Sequence, residues 1–302
     1  MRRTIFRTLL HPRRIINYIL SRTSQLLRLK KVWGYPPTLV VEPTSYCNLN
    51  CPMCARQYRA AEMQNGNMSL DAFASLLDDI KDRILFLLFF GYGEPLMNRE
   101  LPSMIQLAKK NDIFVVLSTN GLLLKPELAD RLLDHPPDIL IVSLDAVDKE
   151  TYAEYRVGGD FDQLVANIRY LSDRRKARRQ PTPLIDIQFI VMKGNETRLD
   201  EAKQMVDVMG ADKFSFKKVA SYYTDTSGEQ CAQFLPDAQP DLAFSIYTDP
   251  TAGSARFCSY PWRQIAVNWD GSVVPCCKDI DSLHVFGNLT AGDTLKGVIN
   301  NE

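Results

Sequence analysis

Between Thr38 and Val219 the apolar residues of this chain change period repeatedly, from short strand-like runs to stretches with helical spacing and back. That rhythm limits the fold more than any other feature. Strands that alternate with helices pair in parallel, and their crossovers have one hand. Residues 38–42, 84–90, 113–118, 139–144, 184–192 and 213–219 read as strands. Residues 69–81, 101–111, 126–133, 149–155, 161–175 and 196–209 read as helices, the first opened by Ser69 and Asp71, as an N-cap requires. Six such units predict an α/β protein, a partial (β/α)6 TIM-like barrel rather than the closed eightfold form. This domain is expected to span residues 34–222.

The rhythm stops after Ala220. Residues 221–257 read as a connecting loop, and 258–302 as a small segment with a hairpin signal at Asp270-Gly271. Residues 223–302 are therefore expected to form a C-terminal extension. Its last helical stretch, 294–301, carries no C-terminal cap and stops 25 residues after Cys277, so the sequence reads as part of a longer chain.

Composition matters chiefly for what a net charge of zero conceals. Residues 1–31 hold nine Lys/Arg and no acid, leaving 27 bases against 36 acids in the remainder. Ile5, Phe6, Leu9 and Leu10, then Ile15, Ile16, Ile19, Leu20, Leu26 and Leu27, fall near helical spacing. Residues 1–33 thus read as a basic amphipathic arm, two helical pieces broken at Pro12. Such an arm suits an anionic membrane surface or packs its apolar side on the acidic body. Pro12, Arg13 and Arg14 interrupt any secretory h-region. The longest apolar run, 84–90, is too short to span a bilayer. Nucleic acid is not an expected partner, because the body is acidic and the Arg174–Arg179 run reads as a solvated helix end.

Seven cysteines in uneven positions do not form an extracellular disulfide framework, so the chain is expected in the cytoplasm, peripheral to a membrane if the arm faces one. Cys47, Cys51 and Cys54 fall within eight residues, directly after the first strand. A structural zinc site wants four ligands, and ferredoxin runs have other spacings. Three thiolates on an iron–sulfur cube would leave one iron open for a chelating ligand.

The Cys-x3-Cys-x2-Cys loop resembles the signature of the radical S-adenosylmethionine (SAM) enzymes, over about residues 36–220. The resemblance implies a [4Fe–4S] cluster on Cys47, Cys51 and Cys54, with SAM on the open iron. Gly91-Tyr92-Gly93-Glu94 ends the second strand and is similar to the family's Gly-Gly-Glu-Pro motif, with Glu94 expected to accept from the SAM ammonium. Ser118 and Asn120 end the third strand, and Ser143 and Asp145 the fourth, as groups for ribose hydroxyls. Asp145 is also suited to cap the helix at 149–155. Arg156 matches the position that holds the SAM carboxylate, and Met192 ends the fifth strand where relatives line the adenine. Met53 departs from the aromatic residue that many relatives carry.

Cys258 and Cys276, with Gly271 between them, resemble the opening half of the SPASM and twitch extensions, which bind auxiliary iron–sulfur clusters. The hairpin would bring Cys258 and Cys276 to one end, as two ligands of a second [4Fe–4S] cluster. Cys277 points elsewhere if Cys276 is a ligand, and is considered as a hydrogen-atom donor. Cys231 reads as a thiol in a polar loop, and His135 and His284 as loop residues. The resemblance implies an enzyme that cleaves SAM reductively with electrons from a low-potential donor such as flavodoxin or ferredoxin. Peptide or protein side-chain modification is the leading expectation. A sugar or aminocyclitol dehydrogenase or epimerase is the alternative, and a non-catalytic iron–sulfur carrier the remote one.

Overall fold

In the computed structural model, the described residues are 8, 11–59, 64–221, 233–237, 243–245, 258–277, 279 and 282–300. The six expected strands are all present: β1 Thr38–Val41, β2 Phe86–Phe89, β3 Phe114–Thr119, β4 Ile139–Ser143, β5 Leu184–Val191 and β6 Lys213–Ser221. They pair in parallel in chain order, for example Val41↔Phe89, Thr119↔Val142 and Ser143↔Gln188. This register brings the strand C-termini, and the loops that leave them, to one end. The sheet is open, a partial barrel with β1 to β6 side by side in chain order.

Two parts of the sheet lie beyond the six expected strands. Within the stretch read as a connecting loop, Ala243–Ser245 forms β7, parallel to β6. The C-terminal segment joins the same sheet. Its strand β8, Gln264–Val267, lies parallel to β1 with Thr38↔Gln264 through Val41↔Val267. β9, Ser272–Val274, returns antiparallel to β8, and β10, Gly287–Asn288, lies antiparallel to β9. The turn falls where Asp270-Gly271 predicts it, with Gly271 at φ +85°, a conformation that costs glycine little.

Alternation decides what each strand buries. Leu39, Val41, Leu87, Phe89, Val115, Leu117, Leu140, Val142, Ile185, Ile187 and Phe189 are at most 1% exposed and form the core beneath the helices. The intervening positions face the other side of the sheet. The helix at Leu70–Ile80 fills its share with Phe73, Leu76, Leu77 and Ile80, and the Ser69 side chain caps it by accepting from the Ala72 N–H. Each such side chain contributes roughly 1.5–3 kcal/mol when buried. The helix Lys149–Tyr155 is capped by Asp148, which accepts from the Thr151 N–H at 2.8 Å, and not by Asp145.

The basic arm contributes the helix Pro12–Leu26; the apolar piece before Pro12 lies outside the described residues. The helix does pack on the body, but with its polar side. Arg14, Asn17, Ser21 and Ser24, spaced three and four apart, are its buried residues. The Arg14 guanidinium donates to the carbonyls of Lys81, Asn111 and Asp112. Asn17 Nδ2 donates to those of Tyr35 and Arg83, and the Ser21 hydroxyl to that of Trp262. Apart from Trp262, these carbonyls precede β1, β2 and β3, so the helix lies under the N-terminal ends of the strands.

Candidate functional site

The loops at the opposite end enclose a cavity of about 420 Å³, within the range of small-molecule sites. Cys47, Cys51 and Cys54 all line it, as do Gly91, Gly93, Glu94, Ser118, Asn120, Ser143 and Arg156. Three strand ends, separated by up to about a hundred residues of chain, thus meet the cysteine loop in one place.

Close backbone contact holds these loops together. The Glu94 N–H donates to the Tyr46 carbonyl at 2.7 Å. A Cβ on Gly93 would lie 2.0 Å from the Thr44 carbonyl oxygen, so only glycine allows the second strand's loop this close to the first. Glu94 is 3% exposed. Its Oε1 accepts from the Leu96 N–H and the Thr119 hydroxyl, and its Oε2 from the Asn120 N–H. Burial raises its pKa against the pull of these donors. A carboxylate offers about four acceptor positions, so three are committed to the fold. The Asn120 amide donates to Asn48 Oδ1 at 2.8 Å, tying the third strand's loop to the cysteine loop.

Arg156 stands between the cysteines and the fourth strand. Its Nε donates to Asp145 Oδ2 at 2.8 Å, its Nη2 to the same oxygen, and its Nη1 to Cys51 Sγ at 3.7 Å. Burial opposes its charge, but Asp145 and then Cys51 outweigh that and hold the guanidinium well above its usual range. Asp145 itself has φ +61° and accepts from the Ile190 N–H. It does not line the cavity; it aims Arg156. Met192 is also set back, 3% exposed and packed with Met53, Tyr155 and Val219 beside a neighbouring cavity.

Several lining residues carry no sequence motif. Thr119, Tyr155, Gln188, Ile190, Lys217 and Lys218 are among them. Strand alternation was the available signal for some of them. Gln188 and Ile190 lie between the buried positions of β5, and Ile190 pairs with Lys217 on β6.

At the C-terminal end, Cys258, Cys276 and Cys277 gather around Tyr260. Burial first, then these three sulfurs, raises the Tyr260 pKa. Cys277 is not on the main cavity wall. Its Sγ accepts from Gln264 Nε2 at 3.8 Å, and it packs against the apolar cluster of Val40, Ala266 and Val274. Cys231 lies outside the described residues.

Among the described residues no group of His, Cys, Asp or Glu is set to hold a single metal ion. The cysteine loop fits a larger group. Three thiols line one cavity; burial pushes Cys47 up to about 11 and raises Cys54 as well. Such thiols stay neutral until a metal displaces their protons, and three soft sulfur ligands match an iron–sulfur cluster.

A partial parallel barrel with three cysteines in its first loop, facing a glycine–glutamate loop across a cavity, defines a class. This chain belongs to the radical SAM superfamily, whose family model matches residues 41–187. A second model, an iron–sulfur cluster-binding SPASM domain, matches residues 258–302. The protein is a SPASM-bearing radical SAM enzyme whose domains carry a [4Fe–4S] cluster, SAM and auxiliary iron–sulfur binding.

Among curated proteins it is 26% identical over 272 residues to the tungsten-containing aldehyde ferredoxin oxidoreductase cofactor-modifying protein of Pyrococcus furiosus, covering 82% of this chain and 74% of that one. It is 33% identical over 146 residues to Fe-coproporphyrin III synthase of Methanosarcina barkeri, covering 48% and 36%. It is 25% identical over 189 residues to the PqqA peptide cyclase of Granulibacter bethesdensis, covering 62% and 48%. The chain thus spans about half or less of the latter two relatives. Its fold matches Streptococcus suis SuiB bound to precursor peptide SuiA with a TM-score of 0.66 and 17% identity, covering 93% of this chain and 68% of that one.

Proposed function

We propose that this enzyme modifies a side chain of a peptide or protein, in the cytoplasm, with electrons from a low-potential carrier such as flavodoxin or ferredoxin. The observation that carries this reading is the direct join between the SAM-side cavity and the SPASM segment. Strand β8 adds to β1, and the Tyr92 hydroxyl of the cavity wall donates to the Cys277 carbonyl at 2.6 Å. Two thiol groups are thereby set on one frame, and relatives named PqqA peptide cyclase and SuiB bound to precursor peptide SuiA support a peptide substrate.

In this proposal Cys47, Cys51 and Cys54 hold the SAM cluster, and Cys258 and Cys276 contribute to an auxiliary one. The cluster and SAM, held by these residues, would supply one-electron chemistry able to take a hydrogen atom from an unactivated C–H. The chain's own residues position the participants. Gly91 and Gly93 hold their loop at the cavity wall by closing on Glu42 and Thr44, and Glu94 keeps one acceptor position for the SAM ammonium. Ser118, Asn120 and Ser143 face its ribose. Arg156, held by Asp145, presents its guanidinium to the SAM carboxylate, and Met192 backs the adenine through Met53. Cys277 lies off the cavity wall and packs in an apolar cluster, which disfavours it as a hydrogen donor. Full turnover by Cys277→Ala would remove it from the reaction.

The test is anaerobic reconstitution with dithionite and SAM, with and without short peptides encoded beside the gene. Peptide-dependent 5′-deoxyadenosine, with a peptide mass change equal to lost hydrogens or a new bond, is the expected result, and Cys51→Ala should abolish it. The Fe-coproporphyrin III synthase relative keeps a small-molecule substrate in view. Turnover driven by a sugar, aminocyclitol or porphyrin and by no peptide would replace the maturase reading.

A further inference from the structure

The N-terminal helix is inverted relative to an ordinary surface helix. Its buried stripe is Arg14, Asn17, Ser21 and Ser24. On the other side Ile16, Ile19 and Leu26 are 58%, 55% and 75% exposed, followed by Leu27 at 58% and Trp33 at 57%. Isolated exposed apolar residues are unexceptional. Here they share one element at spacings of three and seven residues, and among the described residues nothing covers them. The docking is built around this orientation, because Arg14 is 1% exposed and satisfies three backbone carbonyls. Rolling the helix over to bury its isoleucines would strand that guanidinium and those carbonyls.

We propose that this face inserts into the interfacial layer of an anionic phospholipid bilayer, so that the enzyme works attached to a membrane by the closed end of its barrel. Charge selects this occupant over others. Arg28, Lys30 and Lys31 are exposed at the end of the helix beside Leu26, Leu27 and Trp33, and residues 1–31 hold nine bases and no acid, of which Arg14 is buried and Arg13 pairs with Asp82. The remainder carries nine more acids than bases. An anionic leaflet therefore attracts the arm and repels the body, which fixes one orientation. A second copy packed on the same face about a twofold axis would bring like-charged arms together. Nucleic acid would leave the isoleucines and leucines without a role. Trp33 is suited to the headgroup level, where one side of the ring is apolar and its N–H is wet. The interaction is interfacial rather than spanning: among the described residues no helix is long and apolar enough to cross a membrane.

The orientation has a functional consequence. The helix sits under the strand N-termini, and the SAM-side cavity opens at their C-termini. Insertion of the arm leaves the mouth turned away from the lipid, accessible to a substrate and an electron carrier from the aqueous side. The inference stands on the arm alone and is independent of which substrate the cavity takes.

The experiment is flotation of the reconstituted full chain with phosphatidylcholine vesicles and with vesicles containing about one-third phosphatidylglycerol, in low and high salt. The expected result is binding to the anionic vesicles only, weakened by salt. The triple variant Ile16→Ser, Ile19→Ser, Leu26→Ser should lose flotation. The variant Arg28→Gln, Lys30→Gln, Lys31→Gln should bind roughly a hundredfold more weakly, at about fivefold per base near the surface. Unchanged iron content and melting temperature would show that both variants fold, since every altered residue is exposed. Flotation of the serine variant equal to that of the parent overturns the proposal. So does an absence of flotation together with a dimer in light scattering that the serine variant dissolves, which would assign the face to a second copy.

Discussion

The Tyr92 hydroxyl donates to the backbone carbonyl of Cys277 at 2.6 Å, across 185 positions of sequence. Tyr92 occupies the variable position inside the glycine–glutamate loop, and Cys277 closes the hairpin of the SPASM segment. Tyr92→Phe keeps the ring and removes this bond. A lost bond of this kind costs about 1 kcal/mol, or on the order of 2 °C in melting temperature for a chain of this size. The distinguishing readout is local. Amide exchange over residues 264–277 should accelerate while exchange across β3 and β4 does not. Uniform acceleration, or none, would mean that the hydroxyl does not join the two segments.

Arg156 and Asp145 form a buried pair whose side chains are 12% and 1% exposed. Asp145→Ala leaves the guanidinium without its counter-charge, for an expected loss of roughly 3–5 kcal/mol. Asp145→Asn keeps an acceptor and should lose less. The pair also steers Arg156 toward Cys51, so the alanine variant should retain less iron after reconstitution at temperatures where it is still folded. Chemical denaturation of the cluster-free protein, with iron analysis alongside, separates the two effects. Equal loss in the alanine and asparagine variants would show that the carboxylate charge, and not the retained acceptor, is what Asp145 provides; no loss in either would show that Arg156 does not depend on it.

What the sequence disclosed follows from which interactions are local. The cysteine loop, the glycine–glutamate loop and the six strands are written in short stretches, and each was legible. So were the Ser69 cap and the Asp270-Gly271 turn. The pairing of β8 with β1 joins residues more than two hundred positions apart, and no local pattern announces it. Asp145 and Asp148 are both plausible caps by residue type; only backbone geometry assigns the cap to Asp148 and leaves Asp145 for Arg156. The arm was the hardest case. Periodicity identifies its apolar side, and the usual rule turns that side inward. The carbonyls at the base of the barrel reverse the rule, because they need donors that isoleucine cannot supply.

Glu42 gives the fold a pH dependence of definite sign. It ends the buried run of β1, 5% exposed, and its Oε1 accepts from the Tyr92 N–H at 2.9 Å. Burial raises its pKa from 4.5 to about 6, against backbone donors at Tyr92, Gly93 and Trp269. The folded state therefore takes up this proton at higher pH than the unfolded state does. The group's penalty is absent below the unfolded value, grows as pH rises through the window between the two, and is complete above about 6. Its size is on the order of 2 kcal/mol. In the cluster-free protein, Glu42→Gln should flatten this part of the stability profile, so that the difference between variant and parent changes by about that amount across the window. Parallel profiles would show that Glu42 titrates as an ordinary carboxyl.

Arg14 is the residue on which the docking of the arm depends. Its Nε, Nη1 and Nη2 lie 2.9, 3.0 and 2.6 Å from the carbonyls of Lys81, Asp112 and Asn111. Arg14→Met keeps most of the stem but leaves three acceptors in a site too enclosed for the guanidinium to be more than 1% exposed. At about 1 kcal/mol or more for each unsatisfied acceptor, the expected cost is roughly 3 kcal/mol, or on the order of 5 °C in melting temperature. Arg14→Lys restores one donor direction and should recover only part of it. The same change should expose the helix Pro12–Leu26 to trypsin at Arg22 while the body stays resistant. Reductive SAM cleavage per iron should be unchanged, because the cavity lies at the other end of the strands. A methionine variant as stable and as protease-resistant as the parent would mean that the helix is held by something other than its polar stripe.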